Sequence, residues 1–385
     1  MTQIKNAAAL VLSGALLLIL LAGCAPAARD PLAVRAGLGN GTQPESSMAL
    51  HYAKNFAVDR YAGGLSLVTL ADGSRFLAVP EGGTVPAGLD PEITVLRQPL
   101  TDVYLVATSA MSLFDAAGGL GAITLSGTRA DGWYTAAARQ AMQAGSIRYA
   151  GKYNEPDYEL IVASGCRLAV ESTMLYHSPD VAEKLGTLGV PVLVDQSSQE
   201  EHPLGRTEWL RMYGVLLGHE TEAETAFNEQ LAYMDELADI PATGKTVAFF
   251  YINSAGAAVA RRSGDYVTKM IELAGGRYAF DALGDPEAKT STVTLEMEQF
   301  YATAKDADYL IYNSTIDGGV KTMAELLAKN ELMADFKAVK NGNVWCTEQN
   351  LFQETTRFGL MISNLHEMLT GPASLTKLDF IYKLS

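Results

Sequence analysis

From residue 100 to the end of the chain, short apolar runs alternate with amphipathic segments. Each run is almost continuously apolar, which is typical of parallel strands covered on both faces. Strands are predicted at 103–107, 121–125, 167–170, 190–194, Thr246–Ile252, Tyr309–Tyr312 and Val344–Thr347. The spacing leaves room for a helix between most pairs of strands, so the pattern predicts α/β units.

The helical segments separate the strands into two series. Ser178, Pro179 and Asp180 supply an N-cap, a first-turn proline and an acidic residue for a helix that ends at Gly189. A longer helical pattern over 221–240 has no strand pattern beside it and lies between the two series. Further helices are predicted at 266–274 and 355–369. The predicted fold is therefore α/β, with two parallel-sheet lobes joined by one long helix.

The first hundred residues follow a different pattern. Residues 24–47 are rich in Ala, Gly and Pro and predict a flexible tether. Leu65–Leu70 and Arg75–Val79 flank an Asp-Gly pair, which predicts a hairpin within a β-rich elaboration of the first lobe. The predicted organisation is a leader (1–23), a tether (24–47), an N-terminal lobe (48–220), a linker helix (221–240) and a C-terminal lobe (241–385).

The leader has the pattern of a bacterial lipoprotein signal. Lys5 precedes an apolar run over 10–21, and Leu21-Ala22-Gly23 stands directly before Cys24. The run is shorter than the roughly 20 residues of a membrane span. We therefore expect cleavage before Cys24, lipidation of its thiol, and an extracytoplasmic protein held to the cell membrane by lipid.

Charge and cysteine content narrow the function classes. Without Lys5, 28 basic side chains stand against 44 acidic ones, a net charge of −16, so nucleic acid is not an expected partner. Besides Cys24 the chain has only Cys166 and Cys346, each beside a strand-like run, and both are predicted to be buried free thiols. The five histidines form no His-x-x-x-His pair, and no nucleophile elbow or phosphate loop is present. The chain is predicted to bind a ligand rather than to catalyse a reaction.

Two segments carry a resemblance to a known family. Asn154-Glu155-Pro156-Asp157-Tyr158-Glu159 leads into the strand at 167–170, and Thr294-Leu295-Glu296-Met297-Glu298 leads into Tyr309–Tyr312. With two lobes, one linker helix and a lipobox, the chain resembles the substrate-binding lipoproteins of ABC importers for ferric siderophores, haem and cobalamin. In that family a helix-start glutamate of each lobe docks onto a permease arginine. The resemblance implies that Glu159 and Glu298 are the docking residues and that the protein is a monomer.

The ligand is expected in the cleft between the lobes, beyond the carboxyl ends of the strands. The strand-end loops offer apolar side chains, arginine donors and a Tyr-His pair that could ligate haem iron. The candidate ligand-binding residues are Met111, Arg129, Met174, Tyr176, His177, Arg261, Arg262, Trp345 and Phe352. They predict a ferric chelate or a tetrapyrrole as the ligand. Cobalamin, free Zn or Mn bound through His177, His202 and His219, and an enzyme on the same fold are the alternatives.

Overall fold

The computed structural model describes residue 32 and residues 36–285 and 290–385. The predicted leader and Cys24 lie outside the described residues. The strands are β1 (Ser46–Ser47), β2 (Phe56–Tyr61), β3 (Leu65–Leu70), β4 (Arg75–Val79), β5 (Ile93–Arg97), β6 (Val103–Leu105), β7 (Ile123–Ser126), β8 (Arg148–Tyr149), β9 (Gly151–Lys152), β10 (Glu155–Pro156), β11 (Leu168–Ser172), β12 (Val192–Asp195), β13 (Thr246–Ile252), β14 (Ala258–Arg261), β15 (Arg277–Tyr278), β16 (Thr292–Leu295), β17 (Tyr309–Tyr312), β18 (Val344–Thr347) and β19 (Ile381–Lys383).

Helices alternate with most of these strands. They are α1 (Ala110–Ala116), α2 (Ala136–Gln143), α3 (Tyr158–Ala163), α4 (Pro179–Thr187), α5 (Pro203–Leu217), α6 (Glu220–Leu237), α7 (Tyr266–Leu273), α8 (Met297–Ala304), α9 (Met323–Lys329), α10 (Lys337–Lys340) and α11 (Phe358–Thr370). Within the described part of the chain, none of them has the length and apolar character needed to cross a membrane.

The N-terminal lobe is built on a parallel sheet in the order β12-β11-β6-β7-β8. Its strands carry apolar side chains on both faces, because helices cover both sides. Leu168 and Val170 of β11 belong to the core under α1, α5 and α6, whereas Ala169 faces Ile161 and Leu185 of α3 and α4. All the strands of this sheet therefore end at one edge.

The C-terminal lobe is built on a mixed sheet in the order β16-β14-β13-β17-β18-β19. Its centre, β13, β17 and β18, is parallel, while β14 and β19 run antiparallel to their neighbours. The carboxyl ends of the three parallel strands again share an edge. The predicted fold class of two α/β lobes joined by a long helix is confirmed, and the second sheet is mixed rather than purely parallel.

A third sheet, β1-β2-β3-β4-β5, forms the β-rich elaboration. The predicted hairpin is present, since β3 and β4 pair antiparallel across Ala71-Asp72-Gly73-Ser74. One face of this sheet shares the core of the N-terminal lobe, with Phe56 packed edge-on against Trp209. The sheet is therefore an integral extension of that lobe.

Two buried carboxylates fix this extension to helix α5. Glu208 accepts backbone hydrogen bonds from His51, Tyr52 and Ala53 at 2.8 Å each, and Glu200 accepts from Lys54 and Asn55. Hydrogen bonds to ionised groups contribute more than neutral ones and hold a segment of backbone in place. These bonds set the path of the chain into β2.

Residues 36–47, predicted to belong to a flexible tether, are packed against the β-rich extension. Leu38 is buried under the outer face of the extension beside Tyr61 and Leu77. Its carbonyl accepts from the Asp90 N–H, and the Asn40 side chain donates to the Ala87 carbonyl. Leu38 provides the apolar burial that composition alone does not indicate, and it ties this segment to the sheet. Most of the remaining tether lies outside the described residues.

Helix α6, Glu220–Leu237, runs between the lobes where a linker over 221–240 is predicted. It ends before Ile240 because Ala238 already makes an i→i−3 bond to Asp235, and Pro241 has no N–H with which to continue a helix. The lobes also touch directly. Thr207 of α5 donates to the Thr355 carbonyl at 2.8 Å, and the Gln230 side chain accepts from the Leu360 N–H. Cys166 and Cys346 are buried free thiols, as predicted.

Gly359 marks the closest approach between the linker and the C-terminal lobe. A Cβ there would lie 2.5 Å from the Gln230 carbonyl oxygen, whereas a Cβ at Gly186 of α4 meets nothing within 4 Å. We expect Gly359→Ala to lower the free energy of unfolding by about 1–3 kcal/mol. The matched control Gly186→Ala should leave it unchanged or raise it by up to about 1 kcal/mol. Chemical denaturation measures both, and equal stability of the two variants would contradict the close contact.

Candidate functional site

The strand-end edges of the two sheets face each other across the lobe interface. Gln353, in the loop after β18, accepts from the Tyr134 N–H and donates to the Gly132 carbonyl, both at 2.8 Å. Gly132 and Tyr134 lie in the loop after β7 of the other lobe. Since parallel strands end at a common edge, this bridge places the remaining strand-end loops around the same cleft. A cavity of about 370 Å³ beside the bridge is lined by Tyr134, Glu348, Gln349, Asn350 and Asp379.

Exposed apolar side chains are concentrated on these loops. Of six exposed large hydrophobic residues in the described part of the chain, four follow parallel strands: Tyr134 (41 % exposed), Met174 (46 %), Tyr176 (55 %) and Ile316 (59 %). The loops after β7 and β11 supply the first three, and the loop after β17 of the other lobe supplies Ile316. Contiguous exposed apolar patches indicate binding sites, whereas single exposed apolar residues are common on any protein surface. Both walls of the cleft therefore offer apolar contact to a ligand.

Tyr176 is also held by the β-rich extension. Its hydroxyl donates to Asp72 in the β3–β4 turn at 3.3 Å, and burial together with the Asp72 charge raises the pKa of Tyr176 to about 12. Met174 and His177 are exposed on the same 3-10 turn. The extension thus contributes a carboxylate to this edge of the cleft, which sequence analysis did not foresee.

Arg129 lies in the loop after β7, as predicted, with its side chain exposed. Its guanidinium carbon lies 4.0 Å from the centre of the Tyr149 ring, at the end of the neighbouring strand β8. Stacking on an aromatic face orients the planar guanidinium group while leaving its N–H groups along the edge. Arg129 is thereby presented at the strand-end edge of the N-terminal lobe.

Two predicted ligand contacts from the C-terminal lobe are buried instead. Arg261 is 8 % exposed, is 3.7 Å from Asp265, and has its guanidinium carbon 4.8 Å from the Phe352 ring centre. Trp345 is 2 % exposed because it lies within β18 rather than beyond its end. Neither side chain is available to a ligand in this conformation. The predictions for Arg261 and Trp345 are therefore not supported.

The other predicted residues lie at the margins of the cleft or away from it. Arg262 donates to the Asp285 carbonyl at 3.0 Å and directly follows β14, which runs antiparallel to β13 and away from its carboxyl end. Phe352 is half-buried beneath the Arg261 guanidinium. Met111 is 1 % exposed and belongs to a different cavity, beside the linker helix. Sequence analysis missed Tyr134 and Gln353, which no local motif distinguishes.

Buried hydrogen bonds hold several strand-end loops in shape. At the end of β12, Asp195 accepts from the Ser197 N–H at 3.1 Å and from the Tyr213 hydroxyl at 2.5 Å, and burial raises the pKa of Asp195. At the end of β17, the Ser314 N–H donates to Thr347 Oγ1 at 2.9 Å. These bonds fix the loops from beneath, so that the exposed side chains project from a rigid frame.

Glu171 lies within β11, just before the Met174–Tyr176 loop. It is fully buried, and neither carboxylate oxygen has a hydrogen-bond partner among the described residues. Burial raises the pKa of Glu171 to about 8. An unpaired carboxylate in an apolar interior favours its neutral form, so the folded protein holds a proton there at neutral pH.

The predicted docking glutamates are both exposed. Glu159 lies in the first turn of α3 and Glu298 in the first turn of α8. In α3 the preceding Asp157 caps the helix by accepting from the Leu160 N–H at 3.0 Å. The Glu159 carboxylate is therefore not needed as a cap and is available for an intermolecular contact.

The histidines named for a free-metal site have other contacts. His202 stacks on Tyr52 with ring centres 4.3 Å apart, and burial lowers the pKa of His202 to about 4. His219 Nδ1 lies 2.9 Å from the Ala117 carbonyl oxygen, and His177 is exposed. The part of the chain that the structure describes contains no group of three or more His, Cys, Asp or Glu side chains able to hold a metal ion.

Comparison with known proteins identifies a family with this architecture. A family model described as periplasmic binding protein matches residues 114–351. An uncharacterized lipoprotein of Methanocaldococcus jannaschii is 26 % identical over 297 residues, which cover 74 % of this chain and 69 % of the relative. The β-rich extension precedes the matched family region.

Solved structures show the same fold at low sequence identity. A periplasmic haem-binding protein of Pseudomonas aeruginosa has a TM-score of 0.59 at 17 % identity, over 74 % of this chain and 98 % of its own. A possible iron-binding (periplasmic solute-binding) protein of Staphylococcus epidermidis has a TM-score of 0.53 at 16 % identity, over 70 % and 97 %. The periplasmic vitamin B12-binding protein of Vibrio cholerae has a TM-score of 0.50 at 15 % identity, over 70 % and 97 %.

The buried Glu171 predicts an unusual dependence of stability on pH. Its folded pKa of about 8 lies above the ordinary 4.5, so the folded state binds the proton more tightly than the unfolded chain. This contribution is fully present below about pH 4.5 and is lost as the pH rises to about 8. Glu171→Gln, which cannot ionise, should therefore be more stable than wild type at pH 8, by about 4 kcal/mol.

Denaturation curves at pH 5 and pH 8 measure this effect. The exposed Glu183→Gln of α4 is the matched control and should follow wild type at both pH values. Equal stabilities of Glu171→Gln and wild type at pH 8 would show that Glu171 is ionised and solvated in the folded protein.

Proposed function

Because the chain belongs to the periplasmic binding protein family, we propose that it captures an iron complex outside the cytoplasm and delivers it to an ABC importer. The observation that carries this proposal is the set of exposed apolar side chains on strand-end loops of both lobes, Tyr134, Met174 and Tyr176 in the N-terminal lobe and Ile316 in the C-terminal lobe. The ligand is a ferric siderophore or haem, and the permease subunits of the importer are the partners. The protein acts as a monomer.

The chemistry of the cleft edge supports a large, partly aromatic ligand. Aromatic and thioether side chains give broad apolar contact, while Arg129 offers donors for carboxylates or catecholates. The similar structures from Pseudomonas aeruginosa and Staphylococcus epidermidis are described as binding haem and, for the second, possibly iron. Tyr176 and His177 offer an oxygen and a nitrogen donor for haem iron.

Cobalamin is the second candidate, because a vitamin B12-binding protein shares the fold and a corrin ring suits the same apolar edge. Free Zn or Mn is less favoured, since the described residues contain no cluster of metal ligands. The family and its structural relatives are binding proteins rather than enzymes, which favours binding over catalysis here also.

The proposed location is the outer face of the cell membrane. The Methanocaldococcus jannaschii relative is described as a lipoprotein, which supports lipidation of Cys24. The domain boundaries proposed for the mature protein are a lobe to residue 220, a linker helix and a lobe from residue 241. In this arrangement the lipid anchor keeps the protein close to its permease.

Absorbance spectroscopy identifies the ligand. Haem, ferric catecholates and corrinoids have distinct visible spectra, so protein purified from its host should carry a visible chromophore that matches one of them. The ligand-free protein should also bind one of haemin, a ferric catecholate or cobalamin in a saturable titration. Failure to bind any of the three at micromolar concentration would contradict the proposed function.

Paired substitutions test the location of the site. Met174→Ala with Tyr176→Ala removes apolar contacts from the cleft edge, and affinity should fall at least about tenfold, roughly 1.4 kcal/mol. Val162 and Leu188 are exposed to a similar extent, at 47 % and 41 %, but do not lie on strand-end loops. Val162→Ala with Leu188→Ala should therefore bind like wild type. Equal losses from the two pairs would remove the β11 loop from the site.

Glu159 and Glu298 are the proposed docking residues, one for each permease subunit. Replacing both with Ala leaves the cleft intact, so ligand affinity should change by less than about twofold. Transport and ligand-stimulated ATPase activity should fall sharply, because each receiving arginine loses its carboxylate. Single variants should be less impaired. The exposed pair Glu183→Ala with Glu331→Ala is the control, and normal uptake by the Glu159 and Glu298 double variant would reject the docking role.

A further inference from the structure

The turn between β3 and β4 brings the β-rich extension to the edge of the cleft. Asp72 of this turn accepts from the hydroxyl of Tyr176, which lies on the 3-10 turn after β11. The family match begins at residue 114, so residues 71–74 lie before it. The contact between Asp72 and Tyr176 therefore joins a part of the chain outside the matched family region to the proposed ligand site.

A series of hydrogen bonds fixes this turn relative to the strand-end loops. Glu200, in the loop after β12, accepts from the Asn55 N–H at 2.9 Å, and the Asn55 carbonyl accepts from the Ala71 N–H at 2.9 Å. Asp72 follows Ala71 and lies 3.3 Å from the Tyr176 hydroxyl. These bonds connect the loops after β12 and β11, two neighbouring strands, through the extension.

The Asp72 carboxylate has a fixed orientation within its turn. Its Oδ1 accepts from the Ser74 N–H at 2.9 Å. Leu70 closes the turn, since its carbonyl accepts from the Gly73 N–H and its N–H donates to the Ser74 carbonyl, both at 2.9 Å. Gly73 has a φ of 89°, which a residue with a Cβ rarely adopts. With Oδ1 used inside the turn, Oδ2 is the oxygen that accepts from Tyr176.

The turn that carries Tyr176 is held through its backbone and its buried side chain. Leu175 is 2 % exposed, and the Ser172 hydroxyl accepts from the Met174 N–H at 3.3 Å. Tyr176 itself projects outward and is 55 % exposed. An exposed side chain exchanges rapidly among its rotamers unless a contact selects one of them. The bond from the Tyr176 hydroxyl to Asp72 is such a contact.

This bond contributes little to the stability of the fold. Asp72 and Tyr176 are both exposed, and a hydrogen bond between exposed groups replaces bonds to water with a small net gain. A Cβ at Gly73 would meet nothing within 4 Å, so the tip of the turn is open to solvent. The geometry of the turn therefore suits a role in binding better than a role in folding.

We propose that the β3–β4 turn forms a third wall of the ligand cleft and that Asp72 is a positioning residue, which holds the Tyr176 ring in the orientation that contacts the ligand. This inference rests on the proposed function, because it assigns the extension to the same site. A ring that is fixed in advance loses little entropy when the ligand binds. Burial and the Asp72 charge also raise the pKa of Tyr176 to about 12, so the hydroxyl stays a hydrogen-bond donor.

A double-mutant cycle on affinity tests this role, with whichever of haemin, a ferric catecholate or cobalamin the protein binds. Asp72→Asn keeps an oxygen for the Ser74 N–H but presents an NH₂ group to Tyr176, and Tyr176→Phe removes only the hydroxyl. Each should weaken binding about three- to fivefold and leave the melting temperature unchanged. The double variant should bind no more weakly than the more impaired single variant, because both changes remove one contact.

The exposed Glu81→Gln in the β4–β5 loop of the extension is the control and should bind like wild type. Additive losses in the double variant would show that Asp72 and Tyr176 act independently and would overturn the inference. Wild-type affinity of Asp72→Asn would also overturn it. A melting temperature that falls together with affinity would assign Asp72 a structural role instead.

Nuclear magnetic resonance of the ligand-free protein tests the positioning separately from ligand binding. In protein labelled with ¹³C in the tyrosine rings, the Tyr176 signal is identified by its absence in Tyr176→Phe. Its order parameter should fall in Asp72→Asn and stay at the wild-type value in Glu81→Gln. An unchanged order parameter in Asp72→Asn would overturn the inference whichever ligand binds. A reduced order parameter in a protein that binds none of the three ligands would reject the proposed function alone.

Discussion

Direct backbone contact between the lobes is the constraint on which the rest of the structure depends. Thr207 of α5 donates to the Thr355 carbonyl, and Gly359 of the C-terminal lobe lies against the Gln230 carbonyl of the linker, with no room for a Cβ. A flexible connection would allow the lobes to rotate freely. Here helices α5, α6 and α11 pack into one continuous layer, so the strand-end loops are held opposite each other before any ligand arrives.

The fixed arrangement of the lobes gives buried and exposed groups different roles: buried polar groups stabilise the loops, and exposed apolar groups are available to a ligand. Asp195, Ser314 and Thr347 form hydrogen bonds within the strand-end loops, and these bonds make the loops rigid. The exposed apolar side chains at the strand-end edges are Tyr134, Met174, Tyr176 and Ile316. At these positions they add nothing to the packing of the core. A preformed apolar cleft binds with little loss of side-chain entropy, because its walls do not reorganise. The β-rich extension adds to this preorganisation through the contact between Asp72 and Tyr176.

Much of the fold could be predicted because its strands have strong local signals. The predicted bounds of β3, β4, β13, β17 and β18 are those of the structure, since each is a short apolar run bounded by turn residues. Helix α5, Pro203–Leu217, gave no such signal. It is buried on nearly all sides and so lacks the polar stripe of an amphipathic helix. The burial of Leu38 was not predicted either, because a single apolar residue among glycines gives no periodic pattern of apolar positions.

The candidate site was harder to predict because exposure is a tertiary property. Met174 and Tyr176 lie where the strand-end rule placed them, whereas Trp345 lies one step inside its strand and is buried. Arg261 is the last residue of β14, which runs antiparallel to β13, so the rule for parallel strands did not apply to it. Gln353 reaches the opposite lobe through a loop whose path depends on the packing of α11. Such contacts join residues more than two hundred positions apart, beyond the reach of any local pattern.

Small-angle X-ray scattering tests the central claim that the cleft is preformed by the contact between the lobes. Profiles are recorded for the ligand-free protein and for the protein saturated with whichever of haemin, a ferric catecholate or cobalamin it binds, with saturation verified by absorbance. The account predicts nearly superimposable profiles and only a small decrease in the radius of gyration, because the helices that join the lobes leave little freedom for closure. A large decrease on binding, with the shape change of two lobes closing about a hinge, would contradict it.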